Sequence, residues 1–499
     1  MGKKKNSRRF INRILRYFKL ILTITSLYYI LGYLYIVSQR IFYPFELEWM
    51  EGGMLNQAQR ILKGFPIYTE PTIDFVPYLY HPLFYYISAL FMKITGVEFW
   101  VMRMISVVSS LGSGYLIFKI VERESKRRFY GFMAAGLFFS TYRVTGAWFD
   151  IARVDSLFLF LILSSMYALR YLKSSWAVYL CSILLSMTFF TKQSGIFFIL
   201  SVAIYLLFAD RIKFLIFSLL AIFLNGGIMF FLNQKTDGWY YYYTFILPKY
   251  QYFSKSRTIS FFLDDLARNL PFILCYLAGF LFFVLWRRKG LNNLWLLILF
   301  SGAAFVNSLF ARIVPGGYDN NLIPIFSFLI ILFCIILSKF DDDSKVIFRS
   351  VVYASILFQF IIFRYEISTQ IPKREDWQAG RRFMEKVSQI EGDLLILDHG
   401  FYAAIAGKRT SVHSYALGDL QNDEKRNLIG EVISALYKRI SERYYEAIIL
   451  DQPGNPQIEE LVSRYYYKAE EVLSPNTDTF YTLTGRKTRP NYIYLPKVE

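Results

Sequence analysis

Apolar runs close to the ~20 residues a helix needs to cross a bilayer recur along the first three quarters of this chain. They lie near residues 18–37, 102–121, 130–146, 154–172, 175–191, 194–209, 212–232, 269–286, 291–311, 320–338 and 346–363. Backbone N–H and C=O groups in lipid must be satisfied inside the segment, so such runs fold as helices. Composition agrees: of 499 residues, 55% are hydrophobic and only 19% charged, too apolar for a soluble chain of this length. The expectation is a polytopic α-helical membrane protein of about 11 transmembrane helices.

The net charge of +18 would raise nucleic acid as a partner in a soluble protein. Here Lys and Arg collect in short loops between apolar runs, the pattern of cytoplasmic loops, so the bilayer is the expected partner and nucleic acid is not. MGKKKNSRRF places the N-terminus in the cytoplasm, and the first run has no small-residue cleavage site after it, so it reads as an anchor. ERESKRRF (122–129), Arg170/Lys173, Arg211/Lys213, Arg287–Lys289 and Lys339/Lys345 then share that side, provided HPLFYYISALFMKITG (81–96) is a surface or re-entrant helix. The long outer segments become 38–100, 233–268 and the tail. Cys181, Cys275 and Cys334 all fall in apolar runs and form no disulfide or metal pattern. Residue usage leans toward a bacterial inner membrane.

Two domains are expected, a transmembrane part over 1–365 and an extracytoplasmic α/β part over 366–499. In the tail, DLLILDH (393–399) and EAIILDQ (446–452) read as buried parallel strands. KRNLIGEVISALYKRISERY (425–444) reads as an amphipathic helix between them. Asp398, His399 and Asp451 fall at strand ends, but a structural or acceptor-docking role is favoured for this part.

FELEWMEGG (45–53) puts Glu48 and Glu51 at the mouth of the first span. Glu51 opens EGGMLNQAQRILKG (51–64), an amphipathic stretch expected to lie flat on the membrane. A carboxylate there caps the helix dipole or serves chemistry; Gly52 and Gly53 would let a ligand approach. YTEPTIDFVPYLYHPLFYY (68–86) is a stiff aromatic loop whose members include Asp74, Tyr80 and His81. It is either an interfacial belt or a wall for a sugar and a headgroup. WFDIARVDSLF (148–158) sets Asp150, Arg153 and Asp155 beside a span, where one ion pair leaves an acid over. FFTKQSGIFF (189–198) contributes Lys192, and ARIVPGGYDNNLIP (311–324) contributes Arg312, Asn320 and Asn321. These either snorkel or meet a phosphate. There is no GxxxxGK[ST], HExxH or CxxC. No cofactor is required; Glu48, Glu51 and Asp150 leave a divalent Mg or Mn as an open alternative.

The order of a basic N-terminus, one span, an acidic pair, an amphipathic helix ending LKG-x-P-x-Y and a segment like YPPLYYY resembles the GT-C glycosyltransferases. The branch it is similar to holds protein O-mannosyltransferases and lipid A aminoarabinose transferases. The resemblance covers 18–365 and is strongest at 45–96. It implies a polyprenyl-phosphate sugar donor and a lipid, glycan or protein acceptor at the outer face. It also implies a first-loop carboxylate as base, which Glu51 matches best and Glu48 next, with Asp150 and Asp155 as further acids. Two departures leave the substrate open: Glu stands where many relatives have Asp, and His81 where a proline is usual. The runner-up reading is a polytopic transporter or lipid flippase, although the acids sit at outer turns rather than in broken-helix repeats.

Overall fold

The computed structural model describes residues 2–287, 294–343, 346–423, 425–474 and 476–498. Arg288, Lys289 and Lys345 of the expected basic loops lie outside the described residues. The helices of the first part are α1 (Gly2–Arg40), α2 (Glu51–Leu62), α3 (Leu83–Thr95), α4 (Phe99–Ser125) and α5 (Arg128–Ser140). They continue as α6 (Asp155–Tyr171), α7 (Trp176–Thr191), α8 (Ile196–Ala209), α9 (Arg211–Lys235), α10 (Trp239–Tyr241) and α11 (Lys255–Ser260). Then follow α12 (Pro271–Arg287), α13 (Trp295–Arg312), α14 (Ile323–Asp343) and α15 (Val346–Ile362).

Equal hydropathy serves two ends in this bundle. In the span Asp319–Lys339, 89% of the most apolar window is buried, and Phe328, Ile330, Ile331 and Ile335 are fully enclosed. That helix is the core against which α4, α5, α12 and α13 pack. In α9 only 11% of the window is buried, and Leu219, Ile222, Phe223 and Phe230 stay exposed. An apolar face of that size needs lipid, so the chain is an integral membrane protein. Close approach between spans uses small residues: a Cβ on Gly136 of α5 would stand 2.6 Å from the Ser26 Cα of α1.

Among the described residues, five helices are long and apolar enough to cross alone, or up to seven if two bent pairs each count as one span. The sequence expectation of about eleven exceeds this. The reason is local. The run at 130–146 stops being helical at Ser140, and Gly146 and Ala147 take positive φ of 85° and 58° to turn the chain. Lys192 and Asp210 likewise leave helical geometry, so α7 and α8 end at 16 and 14 residues. Asp210 then caps α9 by accepting from the Ile212 and Lys213 N–H groups.

The tail carries α16 (Arg374–Gln389), β1 (Leu394–Leu395), α17 (Phe401–Ile405), α18 (Ser414–Leu420), α19 (Leu428–Ser441), β2 (Ala447–Gln452), α20 (Pro456–Tyr465), β3 (Tyr466–Glu471) and β4 (Arg489–Pro496). The sheet runs β1-β2-β4-β3. β1 and β2 are parallel with Leu394 opposite Ala447, and α19 lies between them in sequence. β4 pairs antiparallel with both β2 and β3. The tail is stitched to the segment after α1. Thr484 N–H donates to Leu47 C=O at 2.9 Å, Arg40 donates to Thr484 Oγ1 at 3.0 Å, and Val412 N–H donates to Ile73 C=O at 3.0 Å. This alters the expected setting of α2. Instead of lying flat on lipid, its residues Glu51–Leu55 are buried beneath α17, and a Cβ on Gly52 would meet Phe401 Cβ at 2.8 Å.

Candidate active site

The polar turns of the bundle meet at one end, where a cavity of about 450 Å³ opens between them. Helix ends put charge there. Asp155, behind the lining and joined to it through Lys192 and Asn320, begins α6, where the helix dipole favours an acid. Lys192 closes α7, and Asn320 and Asn321 lie in the turn that leads into α14. The segments around Glu48, Tyr80 and Arg153 complete the membrane-side walls, while Tyr415, Asp419, Gly485 and Arg486 come from the tail.

Two networks run through it. Arg153 donates from Nη1 to Glu48 Oε2 at 2.9 Å and from Nη2 to Tyr80 Oη at 2.8 Å. Glu48 is buried, and among the described residues neither its Oε1 nor Arg153 Nε has a hydrogen-bond partner. Burial pushes the Glu48 carboxyl up to about 7 despite the nearby Arg153. In the second network Lys192 Nζ lies 3.2 Å from Asp155 Oδ1 and donates to Asn321 Oδ1 at 2.8 Å; Asn320 donates to the same Asp155 oxygen at 2.9 Å. Four further cavity residues carry buried polar atoms without a partner among the described residues: Trp148 Nε1, Ser194 Oγ, both amide atoms of Asn307, and Asp419 Oδ2. Buried polar groups are normally satisfied, so this concentration marks the walls as built for a polar ligand.

Other expected site residues fall elsewhere. Glu51 does not line the cavity; it is fully buried and accepts four hydrogen bonds. Arg103 gives it two, at 3.0 and 2.6 Å, and the Leu47 and Ala152 N–H groups one each at 2.7 Å. Burial opposes its charge, but these donors outweigh burial and hold its carboxyl below the usual range. Asp150 is paired with Arg40 at 3.0 Å and accepts from Tyr142 at 2.9 Å. Arg312 lies outside these walls, bound by Asp265 at 2.7 Å and Asp319 at 2.9 Å. Asp74 meets Arg439 at 3.0 Å near the surface. His81 is enclosed by Phe189, Phe190, Tyr240 and Phe245, and burial pushes its ring down to about 3.

A divalent ion on Glu48, Glu51 and Asp150 does not fit this arrangement. Each carboxylate faces its own arginine (Arg153, Arg103 and Arg40), and among the described residues no three His, Cys, Asp or Glu are grouped to hold a metal. Sequence reasoning missed Trp49, Trp148, Asn307, Tyr415, Asp419 and Arg486 in the cavity, and Arg103 behind it. Arg103 had a signal: it is an arginine in the second apolar run, and such a residue implies a partner.

Close to the Glu48 loop, His399 joins the tail to the same segment. Its Nδ1 meets Glu46 and its Nε2 lies 3.1 Å from Asp451 Oδ2, with all three buried. Burial disfavours the charged ring, but the flanking Asp451 and Glu46 carboxylates outweigh this and hold its pKa well above the ordinary value of 6.5. A raised folded-state pKa gives stability that is complete below the unfolded value and lost as pH rises through the folded one. From pH 7 upward, where Glu46 is ionised too, the melting-temperature gap between wild type and His399→Asn should therefore shrink as pH is raised. A gap that grows with pH in a detergent melting series would contradict this.

The profile of the dolichyl-phosphate-mannose-protein mannosyltransferase family matches residues 77–233, the stretch that holds Tyr80, Arg153, Asp155 and Lys192. Among solved structures the chain is similar to ArnT from Cupriavidus metallidurans bound to undecaprenyl phosphate, with a TM-score of 0.57 at 12% identity over 95% of this chain and 97% of that one. It is also similar to the apo state of the same protein, with a TM-score of 0.55 at 12% identity over 94% and 97%. At this identity the structural likeness speaks for the fold. Comparison by sequence with curated proteins gives no match. The family profile spans residues 77–233 alone, while the likeness in fold to ArnT extends over nearly the whole chain.

Proposed function

We propose that this chain transfers a sugar from a polyprenyl-phosphate carrier to an acceptor hydroxyl on a lipid, glycan or protein, with Glu48 as general base. The setting is the extracytoplasmic face of a bacterial inner membrane. The observation that carries the reading is Glu48 itself, a cavity-facing carboxylate with a free Oε1 and a pKa of about 7. A base poised near the working pH transfers protons best. Glu51 was the first expectation, but its oxygens are both committed to donors, which favours Glu48.

Glu48 takes the acceptor proton as that oxygen bonds to the anomeric carbon. The bond from that carbon to the phosphate oxygen breaks, and the lipid phosphate leaves with the electron pair. Attack opposite the leaving group inverts the anomeric centre. Lys192 meets the phosphate charge, with Asn320 and Asn321 holding its network in place. Arg312, expected to share that task, lies outside the cavity walls, bound by Asp265 and Asp319. The isoprenoid tail fits the apolar groove of about 230 Å³ lined by Leu83, Tyr86, Ile183, Met187, Leu224 and Ile228. Thr244, Pro248 and Gln251 border the cavity from the 233–268 segment, which shields the donor from water. The tail, 366–499, acts as a second unit that closes the site.

The test follows radiolabel from a panel of polyprenyl-phosphate sugars incubated with the purified chain and a membrane extract. Label moving off the lipid into extract components is the expected outcome. Label that stays on every donor while a lipid is translocated instead would sink the reading.

A further inference from the structure

We propose that Asp419, contributed by the tail, reads the donor sugar by hydrogen-bonding one of its ring hydroxyls. The inference rests on the transfer reading above. Asp419 sits in α18, one turn after Tyr415, and both side chains line the cavity that holds Glu48. It is 8% exposed, and its Oδ2 is buried with no partner among the described residues. An unsatisfied buried carboxyl is destabilising, so a ligand group in the cavity is the natural partner.

The chemistry of that partner follows from the surroundings. A lipid phosphate finds its cation at Lys192, elsewhere in the same walls. Burial pushes the Asp419 carboxyl up to about 8, so at neutral pH it is mostly protonated. A neutral carboxyl donates one hydrogen bond and accepts another, which suits a sugar hydroxyl. The cavity also offers Asn307 and Trp148 as unpaired polar groups, and Trp49 and Tyr415 as rings at 5.8 Å centroid distance. A hydroxylated ring has both polar edges and a face for such walls.

The experiment titrates the full-length protein in detergent and follows fluorescence of the cavity tryptophans. The probes are undecaprenyl phosphate alone and the same lipid carrying glucose, mannose, galactose or arabinose. Wild type is expected to bind one sugar-bearing lipid about tenfold more tightly than the bare lipid, the worth of one good hydrogen bond. Asp419→Ala should lose that preference while keeping its affinity for the bare lipid, which controls for folding. Asp419→Asn, which can still donate and accept, should retain it. Where Asp419→Ala does not fold, Asp419→Glu, which moves the carboxyl by one methylene, carries the same expected loss. A preference that survives in these variants, or none in the wild type, overturns this inference and leaves the transfer reading standing. No binding of any polyprenyl phosphate overturns the transfer reading and this inference with it.

Discussion

Glu48→Gln is expected to lower sugar transfer by a factor of about 10²–10⁴, the usual span for losing a general base. The substitution is nearly isosteric. Its amide oxygen still accepts from Arg153, and Arg153 keeps its bond to Tyr80, so the network survives in outline. What disappears is a group able to take a proton. Melting temperature should therefore move little while the rate collapses. The pH profile separates this from a packing defect. With the Glu48 carboxyl at about 7, the wild-type rate should rise as pH passes through that value, because only the ionised form accepts a proton. The residual rate of the variant should lack that limb. Full transfer by Glu48→Gln would move the base to Asp155, whose Oδ2 is also buried without a partner among the described residues.

The sequence made the membrane fold legible because the bilayer imposes a length on every span. It also made part of the cavity legible, from polar residues set beside the spans: Glu48, Tyr80, Arg153, Lys192, Asn320 and Asn321 line it. The order of the two glutamates was not legible. Glu48 and Glu51 look alike in FELEWMEGG, and what separates them is Arg103, 52 positions from Glu51, together with two backbone donors. Helix spacing marked Glu51 as the residue opening α2, and it does open it, with both its oxygens accepting from Arg103 and from a backbone N–H. The tail's part was hidden for another reason. Tyr415, Asp419 and Arg486 enter the cavity only because Thr484, Val412 and His399 pin the tail to 46–73, and pairings of such long sequence separation leave no local pattern. The strands β3 and β4 were missed likewise: β3 is exposed over all but its first residue, so it lacks a buried apolar run.

Arg103→Met should destabilise the protein by about 3–5 kcal/mol, the cost of leaving a buried charge without its partner. Arg103 is wholly buried, and besides its two bonds to Glu51 it donates to the carbonyls of Arg40, Tyr43 and Phe45. It therefore fixes the whole turn from the end of α1 to the start of α2, the turn on which Glu48 is carried. Glu51→Gln removes less. The amide oxygen can still accept from Arg103, but its NH₂ group faces an N–H donor of Leu47 or Ala152, so about 1–3 kcal/mol is the expected loss. These two variants distinguish a positioning acid from a catalytic one. If Glu51 holds the turn, transfer by Glu51→Gln should fall with its melting temperature and recover when the assay is cooled or the donor lipid is raised. The acid limb of the pH profile should stay near 7, because Glu48 still sets it. A Glu51→Gln protein that melts like the wild type but transfers no sugar, with the acid limb gone, would return the base to Glu51 and make Glu48 the structural member of the pair.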